Sequence, residues 1–365
     1  MLFLSTTLFI IYLVYLIYEY YYNKKIKKSF KKIILVNGIR GKTSTALKID
    51  SILRENNYRV YTKTTGTDPI ILDCNSNKIP IVRKGSPNIL EQIKIIKKAY
   101  KEKAEILILE CMAINPDLQL ISQERIIKSD ILVITNIRPD HIPDMGKDLD
   151  DIAFAISRTI PENGLVFTAD KKYFKNFKKV SKNKDSKITL VENSEFNNEK
   201  LACETCKSLI KNYKKTKGKT LEYFNNIENK KYIMKNNKGE NIVFINLFSA
   251  NDPISTNYWI KKYTNNSCNK KYLLYNNRQD RPNRILLFAK HFKYFNDFDK
   301  IFICGENKHL AYRLLTKNIS INIEKKKDMD FIFNLEKHSI IFGIGNIKGQ
   351  GYKFIQKLNT GVHNE

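Results

Sequence analysis

The sequence predicts an α/β protein of two domains built on parallel sheets, preceded by one membrane-spanning helix. Three observations predict it. The chain opens on an uncharged apolar run. Short β-branched runs then alternate with amphipathic segments. A glycine-rich loop joins the first of those runs to the helix behind it. At roughly 100–200 residues per domain, 365 residues accommodate two domains behind such a helix.

Residues 1–18 (MLFLSTTLFIIYLVYLIY) carry no charge. A hydrocarbon core takes about 20 residues of helix, and continuing to Tyr22 reaches that length, with Tyr20, Tyr21 and Tyr22 placed as an interfacial belt. Glu19 alone interrupts the run, near its end. Lys24, Lys25, Lys27, Lys28, Lys31 and Lys32 follow. By the positive-inside rule this cluster stays cytoplasmic, which puts the N-terminus outside and the remaining chain in the cytosol. A cleaved signal peptide wants a basic region ahead of the apolar run and a small-residue cleavage site after it; the sequence offers neither.

Behind the anchor, Ile33–Val36 reads as a buried strand and Thr43–Glu55 as a helix. Ile106–Glu110 (ILILE) and Ile131–Asn136 (ILVITN) read as central strands of a parallel sheet, with a helix over Ile89–Lys103. Later strands of the same kind are Ile242–Asn246, Tyr272–Tyr275, Lys300–Cys304 and Ser339–Ile344. Residues 171–240 are rich in Lys and Asn with few long apolar runs. They read as the end of one α/β unit plus a linker, with a boundary near residue 235. The domains expected are therefore 1–22 (anchor), 23–235 and 236–365.

Lys and Arg total 64 against 37 Asp and Glu, a formal charge of +27. That excess suits an anionic partner: a membrane surface, an acidic ligand or polymer, or nucleic acid. The lysines are spread over the whole chain, so a lysine-rich composition explains part of it. No RRM, KH, zinc-finger or helix-turn-helix pattern is present, and nucleic acid is not an expected partner. Six cysteines in a chain this long are no disulfide framework, and the single CxxC (Cys203, Cys206) lacks the second pair a zinc site needs.

Asn37-Gly38-Ile39-Arg40-Gly41-Lys42-Thr43-Ser44 sits between a strand and a helix, the context required of a phosphate-binding loop. It has the short GxxGK[ST] form; the longer form wants glycine where Val36 stands. The glycines let backbone N–H groups face phosphate oxygens, and the helix N-terminus favours an anion. Lys42 is placed for the terminal phosphates and Thr43 for Mg²⁺. Glu110 ends its strand where a metal-binding carboxylate sits in such a protein, and Asp140 and His141 follow the next one. Together these strand ends converge on the crevice where α/β proteins bind ligands.

Further segments carry a resemblance: KTTGTD (63–68), SPNILEQ (86–92), ECMAINPD (110–117), DHIPDMG (140–146), SANDPIST (249–256), NNRQDRPNR (276–284), CGE (304–306) and GIGNIKG (343–349). With VNGIRGKTS (36–44) they resemble the Mur ligase superfamily, ATP-dependent amide-forming ligases that include folylpolyglutamate synthetase. The finer resemblance is to the catalytic subunits of membrane-bound poly-γ-glutamate synthase, the CapB/PgsB type. It implies a P-loop Mur-ligase-like central domain and a C-terminal Rossmann-like α/β domain closing over ATP. It implies that ATP phosphorylates a γ-carboxylate and that the amine of the next glutamate attacks the acyl phosphate. Glutamate, the growing poly-γ-glutamate chain and small membrane subunits are the implied partners, beside membrane lipid.

The same resemblance distributes roles. Asn37, Gly38, Arg40, Gly41, Lys42, Thr43, Ser44 and Asn136 would hold the nucleotide. Thr43, Glu110 and His141 would hold Mg²⁺. Arg278 and Arg281 would meet phosphates, Asp280 the ribose or an arginine, and Asn251 the base. Lys42, Glu110, His141 and Arg278 form the catalytic set. Lys63, Thr67, Asp68 and Arg83 would take glutamate or polymer carboxylates. The chain departs from the pattern over 171–240, where NNIENKKYIMKNNKGE (225–240) replaces a segment rich in Pro, Gly and Arg, and at Asp144, shifted by one residue in the DHxD spacing. Two other functions fit the residues: a membrane-anchored ligase for a different amino acid, and a basic nucleotide-binding membrane module without ligase activity. Amino-acid-dependent ATP turnover separates them.

Overall fold

A computed structural model describes residues 2–66, 69–83, 85, 87–139, 142–192, 199–210, 213, 231–250, 252–264, 270–279, 282–318 and 321–360. The chain forms two compact units, Met1–Leu221 and Glu222–Glu365.

The first unit begins with α1 (Leu2–Ser29). The expected apolar helix is there, long and apolar enough to cross a membrane, and its apolar window packs against nothing. It does not stop at Tyr22. It runs unbroken through the first lysines, and Ile26 and Phe30 are buried in the core of the unit. No proline or glycine lies between residues 2 and 30 to break it.

Next come β1 (Lys32–Asn37), α2 (Lys42–Glu55), β2 (Val60–Lys63), β3 (Ile70–Leu72), β4 (Lys78–Pro80), α3 (Glu91–Lys101) and β5 (Ile106–Glu110). A short α4 (Pro116–Ile121) runs into a π-helical turn, followed by β6 (Ile131–Ile134), α5 (Ile142–Met145), α6 (Leu149–Ser157), β7 (Leu165–Thr168), α7 (Phe174–Asn183), β8 (Lys187–Leu190) and α8 (Glu199–Lys207). Among the described residues the strands form one sheet, ordered β4-β3-β2-β5-β1-β6-β7-β8. All neighbours are parallel except the β2-β3-β4 edge. β1, β5 and β6 are buried on both faces, which explains their unbroken apolar sequences.

Residues 174–192 and 199–207 carry the α/β pattern on to the end of the unit, as expected ahead of the linker. They form α7, β8 and α8, and Leu201, Ala202 and Cys206 pack on the α2 side of the sheet. Each of these elements is short, and its lysines are mostly exposed, which gives the stretch its polar composition. Cys206 is buried, with its thiol pushed far up by burial, and points at the Ile49 carbonyl. That is a packing role, in keeping with the sequence reading of the CxxC pair.

Arg54 ties three segments of this unit. It donates to both oxygens of the buried Asp50 (2.7 and 3.1 Å) and to the carbonyls of Val60, Asp73 and Cys74. Burial pushes the Asp50 carboxyl up, and Arg54 and Thr62 oppose that. Arg54→Ala leaves a buried carboxylate without its cation, so a loss of about 3 kcal/mol is expected in urea unfolding. An unchanged midpoint would contradict that role.

The second unit holds β9 (Lys231–Lys235), β10 (Asn241–Asn246), α9 (Pro253–Tyr263), β11 (Lys270–Asn277), α10 (Pro282–His291), β12 (Lys300–Gly305), α11 (Lys308–Leu315), β13 (Ile323–Lys325), β14 (Ser339–Gly345) and α12 (Gln350–Asn359). Its sheet runs β13-β12-β11-β14-β10-β9, parallel except for β9. Because β9 pairs with β10, this sheet takes in residues ahead of the boundary expected at 235. Apolar clusters cover both faces.

Candidate active site

The loop between β1 and α2 is held from behind. The Asn37 side chain donates to Gln119 (2.9 Å) and Thr159 (3.0 Å) and accepts from the Gly38 N–H (2.8 Å). Asn136 accepts from the Arg40 N–H and donates to the Arg40 carbonyl, both at 3.0 Å. Asn37 and Asn136 therefore brace the loop with the very groups that were expected to meet nucleotide. Gly38 lies at φ +117°, and a Cβ there would stand 2.2 Å from the Thr135 hydroxyl. Any side chain at this position strains the backbone and pushes the loop off β6.

Gly41, also left-handed, precedes α2, and no side chain caps that helix. Its first turn keeps its N–H groups for an anion. The Lys42 ammonium donates to the Gly38 (2.8 Å) and Ile39 (3.3 Å) carbonyls, folded across the loop. Ser44 turns back to the Gly41 carbonyl.

Parallel pairing of β1 with β5, in the register Val36↔Glu110, brings the end of ILILE beside the loop. Glu110 is 2 % exposed. Its Oε2 accepts from the Thr43 hydroxyl and from the Thr65 N–H, both at 2.8 Å. Gly66 follows, and a Cβ there would meet Thr43 Oγ1 at 3.1 Å. Among the described residues no Lys or Arg forms an ion pair with Glu110. The Lys63 ammonium acts on it only through space, without an ion pair, so further positive charge at this buried carboxylate is favourable. A hard divalent cation on Thr43 and Glu110 oxygens would supply that charge, so the donor set fits Mg²⁺.

Lys63 and Arg83 are differently placed from what was expected. Lys63, at the end of β2, has no exposed side-chain surface and pairs with Glu91 at 2.9 Å. Arg83 grips the same carboxylate through Nε (2.8 Å) and Nη2 (3.1 Å). Both cations are already engaged, by a glutamate in the first turn of α3. Burial opposes ionisation of Glu91, but the Arg83 and Lys63 bonds and charges outweigh it and hold its carboxyl at about 2. Burial pulls Lys63 down, with Glu91 opposing. The depressed carboxyl contributes stability that is complete above its unfolded value near 4.5 and is lost as pH falls toward 2. Unfolding free energy measured across that window is expected to slope less in Glu91→Gln; identical slopes would contradict it.

Sequence reasoning missed Glu91, Gln92, Thr65 and Gly66. Gln92 is fully buried and donates to the Glu110 carbonyl at 3.4 Å. The signal lay in SPNILEQ and KTTGTD, segments matched without roles for these residues. Thr67, Asp68, Asp140, His141, Asn251, Asp280 and Arg281 lie outside the described residues.

In the second unit Arg278 is half-buried just past β11. The strand tips beside it form a polar cluster. Asn276 donates to the Asn346 (2.5 Å) and Lys348 (3.1 Å) carbonyls, Asn277 to Glu306 (2.8 Å), and Arg284 to Asn346. Of the GIGNIKG glycines, Gly343 and Gly345 serve close packing, whereas Gly349 has open space around it. A Cβ at Gly343 would strike Phe244 and Phe248, and one at Gly345 the Asn276 carbonyl at 2.7 Å.

Comparison with known proteins accords with this geometry. Residues 36–229 match the Mur ligase middle domain, and residues 231–361 the C-terminal domain of the poly-γ-glutamate synthase CapB. The fold is shared with a bifunctional folylpolyglutamate synthase/dihydrofolate synthase of Yersinia pestis, solved with AMPPNP and Mn: TM-score 0.66, 12 % identity, 92 % of this chain and 90 % of that one. E. coli FolC with ADP gives 0.62 at 12 % identity, over 93 % and 92 %. The PGA synthase CapB of Bacillus subtilis is 30 % identical over 352 residues, 89 % of each chain. The capsule biosynthesis protein CapB of Bacillus anthracis is 39 % identical over 166 residues, 45 % of this chain and 36 % of that one.

Fold and phosphate loop together define an ATP-dependent ligase of the Mur type. Within that class, the chain belongs to the CapB poly-γ-glutamate synthase family.

Proposed function

We propose that this protein polymerises glutamate through its γ-carboxylate, using ATP, to make a capsule or secreted poly-γ-glutamate. The observation that carries it is Thr43 hydrogen-bonded to the buried Glu110 at the mouth of the phosphate loop. When bound there, Mg²⁺ would supply positive charge to the nucleotide phosphates. The uncapped first turn of α2 seats the phosphates, and Lys42 leaves the Gly38 and Ile39 carbonyls for the transferring phosphoryl group. A carboxylate attacking a phosphate brings two anions together, and Lys42 lowers that repulsion. The γ-carboxylate oxygen bonds to phosphorus as ADP leaves. The amine of the next glutamate then attacks the acyl carbon, and phosphate departs as the amide forms.

His141 as a third metal ligand, Arg278, Asp280 and Arg281 at the phosphates, and Asn251 near the base belong to the same proposal and rest on their motifs. Thr67 and Asp68 remain proposed contacts for glutamate. For Lys63 and Arg83, the ion pairs support a role in setting the wall of the crevice through Glu91.

The proposed protein sits in the cell membrane, anchored by α1 with its N-terminus outside, and works with small membrane subunits; the long apolar α1 supports the anchor. Deleting residues 2–22 is expected to release it from membranes washed at about 1 M salt, where attraction of lysines to lipid anions is screened. Continued sedimentation with the bilayer would contradict the anchor.

The function is tested by ADP release over a panel of amino acids, with the membrane-embedded protein and its co-expressed membrane subunits. Turnover dependent on glutamate supports it; turnover dependent on another amino acid alone would refute it.

A further inference from the structure

We infer that one face of α3 is a second membrane contact, which seats the first unit on an anionic bilayer beside the anchor. This rests on the reading of α1 as a membrane anchor. At about 100° per residue, and counting from Lys97, Leu90 stands near 20°, Lys101 near 40°, Lys94 near 60° and Lys98 near 100°. The buried residues Gln92, Ile95, Ile96 and Ala99 fall between about 160° and 260° on the same scale. Four lysines and a leucine thus share the arc opposite the core. Lys94, Lys98 and Lys101 are exposed. Leu90, in the N-cap position, is 55 % exposed.

That arc is tied to the anchor. Lys97, at its edge, pairs with Glu19 of α1 at 3.6 Å. Glu19 lies in the tyrosine belt, where Tyr18 and Tyr22 stack at 5.8 Å. The level at which α1 leaves the apolar phase is therefore the level of α3. Nor is the anchor a loose tether, because α1 continues unbroken to Ile26 in the core. At the other end of the face, Arg83 holds the first turn of α3, and the residue before it, Val82, is 88 % exposed. Exposed apolar residues beside a lysine stripe are what a headgroup surface takes: the lysines meet lipid anions while Leu90 and Val82 enter the interface. Continuity with the anchor favours a bilayer over a soluble polyanion. The opposite face of α3 carries Gln92 against the Glu110 carbonyl, so lipid contact and active crevice share one helix.

The test uses the full chain in phosphatidylcholine vesicles with and without phosphatidylglycerol, with lysine acylation read by mass spectrometry. Phosphatidylglycerol is expected to lower labelling of Lys94, Lys98 and Lys101 about fivefold or more, reversed at about 1 M salt, where the Debye length is ~3 Å. Lys178 and Lys182, exposed on α7 at the other edge of the sheet, should not change. Equal labelling in both vesicles, with the protein still vesicle-bound, overturns the second contact and leaves the anchor standing. Protein that fails to float with either vesicle overturns the anchor reading and this inference with it. Protection by added poly-γ-glutamate without phosphatidylglycerol assigns the face to polymer and overturns the lipid contact.

Discussion

Lys42→Ala is expected to lower glutamate-dependent ATP turnover by about three orders of magnitude, the scale associated with removing charge stabilisation from a phosphoryl-transfer transition state. The fold should survive, because Lys42 is half-exposed and its partners are two loop carbonyls that water can satisfy. Circular dichroism and thermal unfolding close to the parent would establish that. Lys42→Arg is a useful companion. It keeps the charge but places a planar, bulkier group over the Gly38 and Ile39 carbonyls, so partial activity is expected. A fully active Lys42→Ala protein would remove the phosphate-loop assignment altogether.

Glu110→Gln is the second large effect. It conserves shape and removes the one buried charge aimed at Thr43. The amide can still accept from Thr43 and from the Thr65 N–H, which protects the local structure. What it loses is attraction for a divalent cation, and the Mg²⁺ concentration for half-maximal turnover is expected to rise about 100-fold. An unchanged Mg²⁺ titration would contradict the assignment of Glu110 as the metal carboxylate.

These two residues were legible in the sequence because strand ends are positions that a parallel sheet brings together. ILILE and ILVITN are buried on both faces and read as uninterrupted apolar runs, so their ends, and with them Glu110 and Asn136, are fixed by pattern alone. The role of Asn136 was not legible. Whether an amide meets a ligand or the loop behind it depends on its rotamer, and here both its groups are spent on Arg40.

Lys63 and Arg83 illustrate a related limit. The resemblance marked them as cations for substrate carboxylates, but Glu91 lies 28 residues from one and eight from the other. Only the packing of α3 against β2 puts a carboxylate between them. Within residues 171–207 the end of an α/β unit was legible, but not its three elements. α7 buries only Phe177 and Ser181, β8 fully buries none of its four residues, and both expose lysines. Averaged composition gives such elements no boundaries.

The central claim is that a glutamyl γ-carboxylate is activated as an acyl phosphate at the Lys42–Thr43–Glu110 site. The most direct measurement is hydroxylamine trapping, with ATP, Mg²⁺ and glutamate or a glutamyl peptide, on the membrane-embedded protein with its membrane subunits. Glutamyl γ-hydroxamate should form in step with ADP and vanish in Lys42→Ala. ADP release with glutamate but no hydroxamate, or hydroxamate undiminished in Lys42→Ala, would contradict it.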